Sequence, residues 1–143
     1  EKLAVALTQA RANQEMLALI FLDLDRFKLI NDTLGHYIGD QALKLIAERL
    51  VNSVRGTDVV ARFGGDEFTV LLSHVNGETD VFHVLRKLMN ALQQPLVLAE
   101  SEFTVSASVG IALFPRDGQD SEGLLQVADK AMYESKQRKG IDS

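Results

Sequence analysis

The fold of this chain is decided by the stretch Arg62-Phe63-Gly64-Gly65-Asp66-Glu67-Phe68, which joins two apolar runs. The runs at 59–61 and 68–72 are rich in valine, leucine and phenylalanine, residues that favour β-strands. Glycine adopts positive φ without steric cost, so the glycine pair predicts the turn of a β-hairpin. The two carboxylates that follow the glycines are poorly placed for a core and well placed to bind a cation.

A second acidic turn follows the apolar run 17–22 and contains Asp23 and Asp25. A short, nearly continuous apolar run predicts a central strand buried on both faces. Asp23 is the better candidate ligand, whereas Asp25 is predicted to cap the next helix or to support the site. If the hairpin lies beside this strand, Asp66 and Glu67 meet Asp23 at one edge of the sheet. Such a cluster is costly without a cation, and oxygen ligands alone suit Mg²⁺ or Mn²⁺.

The remaining patterns predict an α+β fold. Apolar spacing indicates helices over residues 1–16, 26–34, 42–54, 80–92 and from 121 onward, and a strand pair over 96–98 and 103–113. Gly35 and Gly39 are predicted to separate the second and third helices, with Asp40 helping to cap the third. This order predicts one domain over residues 1–143, with a central, mainly antiparallel five-stranded sheet flanked by helices.

Composition restricts the class of protein and its partners. The 143 residues are 46% hydrophobic and 24% charged, as in globular proteins, and the net charge is -5. This charge provides no overall basic field for nucleic acid, so we expect no nucleic-acid partner. The chain has no cysteine and no apolar run near the ~20 residues that cross a bilayer. We expect a cytoplasmic segment of a longer polypeptide, with residues 1–16 forming part of a helix and any membrane anchor lying outside the chain.

Several polar residues could bind a nucleotide. The start of the helix at Phe27 and Lys28 would offer free backbone N–H groups to a triphosphate. Asn31 and Asp40 could read a guanine edge, because asparagine donates and accepts while aspartate accepts two N–H groups. The basic end of the last helix, which includes Lys136, is either a phosphate clamp or a complement to the helix dipole. Together these residues suggest nucleotidyl transfer.

Taken in order, these motifs resemble those of the GGDEF domain of diguanylate cyclases. The resemblance extends from about residue 17 to residue 140. It is carried by the hairpin motif and by the segments 21–28, 31–36, 39–40, 106–112 and 128–133. It implies a fold related to the palm of nucleotide cyclases and polymerases. It also implies a reaction in which two GTP condense to cyclic di-GMP, with release of pyrophosphate, between two facing GGDEF domains of a homodimer.

The resemblance implies a role for each matching residue. Asp23, the carbonyl of Leu24 and Asp66 would hold Mg²⁺. Glu67 would support a second metal ion or the 3′-hydroxyl, and Asp66 or Glu67 would act as the catalytic base. The substrate-binding residues would be Phe27, Lys28, Asn31, Asp40, Gly64, Gly65 and Lys136.

The turn from Arg55 to Asp58 has two interpretations. On general grounds an arginine and an aspartate three residues apart form a local ion pair. In the family this spacing before the hairpin marks a site at which the product cyclic di-GMP inhibits the enzyme. Arg86, on the next predicted helix, would be a third member of that site.

A second hypothesis keeps the fold and removes the catalysis. The sequence around Ser106 and Asp117-Gly118 resembles that of family members with a downstream phosphodiesterase domain. In such proteins the GGDEF domain can be a silent regulator that binds GTP or cyclic di-GMP. Retention of the acidic hairpin favours the active cyclase.

Overall fold

The computed structural model describes residues 2–140. Its elements, in chain order, are α1 (Lys2–Asn13), β1 (Met16–Leu24), α2 (Phe27–Leu34), α3 (His36–Asn52), β2 (Val59–Gly64), β3 (Glu67–Val75), α4 (Glu78–Leu92), β4 (Leu96–Leu98), β5 (Ser101–Phe103), β6 (Ala107–Phe114) and α5 (Ser121–Arg138). Within residues 2–140, none of the helices is long and apolar enough to span a lipid bilayer.

Strand β1 lies inside a four-stranded sheet of order β2-β3-β1-β6. Both of its neighbours, β3 and β6, pair with it in the antiparallel direction. Its side chains alternate between two apolar cores. Ala18, Ile20 and Leu22 pack with residues of α3 and α4, whereas Leu19 and Phe21 pack with residues of α1 and α5. The prediction of a central strand buried on both faces is therefore confirmed, and the fold is α+β with a mainly antiparallel sheet.

The predicted fifth strand of this sheet is wrong. β4 and β5 form a separate two-stranded sheet, and the long strand expected over 103–113 is interrupted at residues 104–106. The interruption occurs where the carbonyl of Ser106 accepts a hydrogen bond from the amide of Asp25 at 2.8 Å. This bond is in register with the pairing of β1 and β6, whereas residues 101–103, on the other side of the interruption, pair with β4 and not with β1.

The predicted break at Gly39 is also wrong, because α3 begins at His36 and continues through Gly39. Gly35 alone separates the two helices, with φ of 92° and ψ of 157°. That positive φ is readily available only to glycine. Asp40 consequently lies within α3 and is not its cap.

The hairpin forms as predicted, but not for the predicted reason. Its turn residues are Gly65 and Asp66, and β2 and β3 pair up to Gly64 and Glu67 with an irregularity between Arg62 and Gly64. Neither glycine has φ in the left-handed region. A Cβ on Gly64 would lie 3.1 Å from the carboxylate of Glu67, which is a tight contact, whereas a Cβ on Gly65 would meet nothing within 4 Å.

Gly110 sets the distance between the sheet and α5. It lies opposite Phe21 in the pairing of β1 with β6. A Cβ at this position would lie 1.9 Å from the carbonyl oxygen of Ala128 and 2.4 Å from the amide nitrogen of Met132. The backbone of α5 therefore packs directly against the backbone of β6, and this contact sets the distance between α5 and the end of β1.

Candidate active site

The two acidic turns meet at one edge of the sheet. Pairing of β1 with β3 places Asp23 opposite Glu67. The amide of Leu24 donates a hydrogen bond of 3.1 Å to the carbonyl of Asp66, which joins the hairpin turn to the end of β1. The structure thus brings Asp23, Asp66 and Glu67 together.

Asp23 is the most perturbed member of this cluster. It is only 8% exposed, and its Oδ1 is buried without a hydrogen-bond partner among the described residues. Burial and the negative charges of Asp66 and Glu67 raise the pKa of Asp23 to about 7, although Lys136 opposes the shift. Burial, with Asp66 next, also raises the pKa of Glu67. The cluster therefore carries more negative charge than its own surroundings neutralise.

These groups fit a divalent cation that takes part of its coordination from outside the protein. Within residues 2–140, no three Asp, Glu or His side chains are arranged to hold a metal ion by themselves. The unpaired oxygen of Asp23, the adjacent carboxylate of Asp66 and the main chain at Leu24 supply hard oxygen donors. Mg²⁺ commonly binds one or two carboxylates and completes its shell with water and phosphate, so this donor set suits it.

Lys136 extends from α5 into the acidic edge. Its side chain is 5% exposed, and its Nζ lies 3.4 Å from Oδ2 of Asp23 and 3.5 Å from Oδ1 of Asp25. The ammonium of Lys136 therefore lies beside the carboxylates of the site, and the helix dipole alone does not explain its position. The location permits contact with an anionic ligand that approaches Asp23.

Asp25 supports the site and does not cap α2. The N-cap position belongs to Arg26, which is left-handed with φ of 53° and makes no side-chain cap. Asp25 instead accepts hydrogen bonds from Ser106, Ser108 and Lys139. Burial raises the pKa of Asp25, but these three hydrogen bonds outweigh it, and the net pKa is lowered. The sequence pattern did not reveal Lys139 as a partner.

The expected phosphate- and base-binding residues lie on α2 and α3. The first amides of α2, at Phe27 and Lys28, lack intrahelical partners, as at any helix start. Asp40 lines an open groove of about 500 Å³ between α3 and the hairpin. The same groove is lined by Tyr37, Lys44 and Arg62, which sequence reasoning missed because each is an ordinary surface residue in its own element.

Asn31 lies against the backbone of α3 at Gly39. A Cβ on Gly39 would lie 1.8 Å from Oδ1 and 3.0 Å from Cγ of Asn31. The absence of a side chain at this position therefore makes room for the Asn31 amide one residue away from Asp40. This contact explains why a glycine stands inside a helix, where it costs about 1 kcal/mol relative to alanine.

On the prediction that Asn31 reads the guanine of GTP, replacing Gly39 by alanine is expected to weaken GTP binding about tenfold while leaving the melting temperature unchanged or higher. The new methyl group displaces Asn31, and each hydrogen bond lost to the base is worth about 1 kcal/mol. Titration calorimetry and thermal melting measure the two effects. Asn31→Ala with Gly39→Ala should bind no more weakly than Asn31→Ala alone; an additive loss would contradict the role given to Gly39.

The turn from Arg55 to Asp58 contains the local ion pair. Nε of Arg55 lies 3.1 Å from Oδ2 of Asp58, and its guanidinium also donates to the carbonyl of Ser73 at 2.6 Å. Asp58 is 9% exposed and accepts from the amides of Arg55 and Ser73. Arg86 is exposed on α4, and no ion pair or hydrogen bond within residues 2–140 joins it to Arg55 or Asp58.

Comparison with known proteins places this arrangement in a family. The model of the diguanylate cyclase GGDEF domain matches residues 1–141. The bifunctional diguanylate cyclase/cyclic di-GMP phosphodiesterase MucR of Pseudomonas aeruginosa is 43% identical over 136 residues, which is 95% of this chain and 20% of MucR.

Two solved structures share the fold. The GGDEF domain of TpbB from P. aeruginosa superposes with a TM-score of 0.92 at 40% identity, covering 99% of this chain and 88% of that chain. The GGDEF domain of DgcB from Caulobacter crescentus, in complex with c-di-GMP, has a TM-score of 0.87 at 26% identity, covering 96% and 81%. TpbB itself is a diguanylate cyclase, of which this chain spans 32%.

The chain therefore belongs to the GGDEF domain family of diguanylate cyclases, and the resemblance read from its motifs is confirmed. It spans only 20% of MucR and 32% of TpbB. The family and the fold are shared over nearly the whole of this chain, whereas the relatives contain much that this chain does not.

Proposed function

We propose that this domain condenses two molecules of GTP into cyclic di-GMP. The observation that carries the proposal is the convergence of Asp23, Asp66 and Glu67, with an oxygen of Asp23 buried and unpaired. An acidic edge of this kind suits phosphoryl chemistry with a divalent ion. The relationship to the diguanylate cyclase TpbB supports the same reaction.

The reaction requires two copies of the domain. In each step the 3′-hydroxyl of one GTP attacks the α-phosphorus of the other, forming a phosphodiester P–O bond. The bond from the α-phosphorus to the bridging oxygen breaks, pyrophosphate leaves with that electron pair, and the hydroxyl proton passes to a base. Two such steps close the ring. Each domain presents one GTP, so the active form is a dimer with facing sites.

The roles that we assign to the residues of the site are those that the resemblance to the family implies. Asp23, the carbonyl of Leu24 and Asp66 would hold Mg²⁺ or Mn²⁺, and Glu67 would support a second ion or the 3′-hydroxyl. When bound, the ion would polarise a phosphoryl oxygen and lower the pKa of the attacking hydroxyl. Asp66 or Glu67, both at the hairpin, would accept the proton.

The substrate would lie between α2, α3 and the hairpin. The amides of Phe27 and Lys28 would bind phosphate oxygens, while Lys136 would reach the terminal phosphates. Asn31 and Asp40 would read the guanine edge. Gly64 and Gly65, which have no side chains, would let the nucleotide approach the hairpin closely.

The test is a measurement of product from a version dimerised by a fused coiled coil. With GTP and Mg²⁺ we expect cyclic di-GMP and two pyrophosphates for each product molecule, and no product after the metal is removed by chelation. The unfused domain serves as the control and should be much slower, because an isolated copy has only half of the site.

The same experiment separates a regulatory domain from an enzyme. MucR is named as a bifunctional diguanylate cyclase and phosphodiesterase, which supports considering a regulatory domain attached to a phosphodiesterase domain. GTP or cyclic di-GMP binding without product from the dimerised protein would assign a silent regulator. A protein that shows no thermal shift with GTP would be neither.

We also infer that Arg55 and Asp58, with Arg86, bind the product as an inhibitor. Replacing Arg55 by alanine is expected to raise the cyclic di-GMP concentration for half-inhibition about tenfold or more. The reason is that the guanidinium is 47% exposed and charge-assisted hydrogen bonds are worth about 1.5–3 kcal/mol. Inhibition curves measure the effect. Arg116→Ala, which removes another exposed ion-paired arginine, is the control. Unchanged inhibition in Arg55→Ala would show that this turn is not the site at which the product inhibits.

A further inference from the structure

The carboxylate of Asp25 is buried and has two donors or cations at each oxygen. Its side chain is 2% exposed. Oδ1 accepts from the hydroxyl of Ser108 at 2.7 Å and lies 3.5 Å from Nζ of Lys136. Oδ2 accepts from the hydroxyl of Ser106 at 2.8 Å and from Nζ of Lys139 at 3.0 Å. This carboxylate is therefore held in one orientation from three elements of the fold.

Lys139 ties the end of α5 to the start of β6. It occupies the C-cap position of α5, one helical turn after Lys136. Besides Asp25, its ammonium donates to the carbonyl of Ala107 at 2.7 Å. Its side chain remains 40% exposed, so its charge can be removed without opening a cavity in the core.

Lys136 depends on this arrangement for its place in the site. Its buried ammonium has two carboxylates beside it, those of Asp23 and Asp25. Asp23 is also a candidate ligand of the metal ion, so its carboxylate would be shared between Lys136 and that ion once the ion and the substrate are bound. Asp25 is then the anionic neighbour that remains to Lys136, and its own orientation is fixed by the serines and Lys139.

We propose that Asp25 and Lys139 are positioning residues, which hold the ammonium of Lys136 where it contacts the terminal phosphates of GTP. This inference rests on the proposed function, because it assigns a support to a residue of that same site. Lys139 acts through Asp25 and does not itself touch the nucleotide. The pairing is suited to the task because a charge-assisted hydrogen bond is shorter and stronger than a neutral one.

The test compares two ligands that differ in their terminal phosphates. We suggest calorimetric titration with the α,β-methylene analogue of GTP, which cannot release pyrophosphate, and with GMP, both in the presence of Mg²⁺. Lys139→Met is expected to weaken binding of the analogue about tenfold and to leave GMP binding within about twofold. Lys139→Arg, which keeps a cation at the position, should restore most of the loss.

Matched variants separate positioning from general damage. Lys130→Met makes the same change at an exposed position of α5 and should alter neither affinity. In a Lys136→Met background, Lys139→Met should cause no further loss of the analogue. Equal losses for GMP and the analogue, or additive losses in the double variant, would overturn the positioning role.

The outcomes also separate this inference from the proposed function. If the unmodified chain binds neither nucleotide, the proposed substrate is wrong and the positioning role falls with it. If the chain binds the analogue more tightly than GMP and Lys139→Met changes nothing, the substrate stands and only the positioning role is rejected.

Discussion

Replacing Asp66 by alanine is expected to lower the rate of cyclic di-GMP formation about a thousandfold or more. The carboxylate of Asp66 adjoins Asp23 at the edge where a divalent ion is proposed to bind. Loss of a ligand removes several kcal/mol of charge stabilisation from the transition state, and about 1.4 kcal/mol corresponds to tenfold in rate. Pyrophosphate release from the dimerised protein measures the loss.

We expect this substitution not to reduce the stability of the folded protein. Asp66 is half-buried in a turn, and its negative charge raises the pKa of Asp23, which means that the two carboxylates repel each other. Removal of one charge therefore leaves the melting temperature of the metal-free protein unchanged or raises it. Glu48→Ala removes an exposed acid from α3 and should keep full activity. A dimerised Asp66→Ala protein with near-normal turnover would refute the role assigned to Asp66.

Replacing Gly110 by alanine is expected to destabilise the fold by about 3 kcal/mol or more. A methyl group here would lie 1.9 Å from the carbonyl oxygen of Ala128 and 2.4 Å from the amide of Met132. Both obstacles are backbone atoms of α5, so no side-chain rotation relieves them. The helix must move away from β6, and this lowers the melting temperature by roughly 10 °C.

A second glycine provides the control for this substitution. Gly56 has open space around the position of a Cβ and no left-handed φ. Gly56→Ala should therefore leave stability within about 1 kcal/mol, or raise it slightly by reducing the entropy of the unfolded chain. Denaturant unfolding of both variants gives the comparison. Equal stability of Gly110→Ala and the unmodified protein would show that α5 is not held against β6 as closely as described.

Local patterns were sufficient to predict the elements closest to the site. The apolar run 17–22 predicted a strand buried on both faces, and β1 contributes to both cores. Glycines between two strand-like runs predicted the hairpin. Adjacency of the two acidic turns followed from placing the hairpin beside β1, which the register of Asp23 with Glu67 bears out.

The errors arise where a distant partner overrides the local pattern. Thr104 and its neighbours alternate as a strand does, but the strand is interrupted at residues 104–106, and the hydroxyl of Ser106 bonds Asp25, 81 residues earlier in sequence. Gly39 looks like a helix break until its contact with Asn31 is known. From the sequence, Lys139 is either a complement to the helix dipole or part of a phosphate clamp, whereas in the structure it pairs with Asp25 across 114 residues. Each of these requires the assembled fold.

Strand β1 packs on both faces and ends in Asp23. A substitution that loosens the packing on either face of β1 also displaces the carboxylate of Asp23. A defect in folding and a defect in chemistry therefore give the same loss of activity. A mutagenesis screen scored only by loss of signalling would recover the leucines and isoleucine of β1 together with the acids. Each inactive variant therefore needs its own melting curve before the altered residue is counted as part of the chemistry.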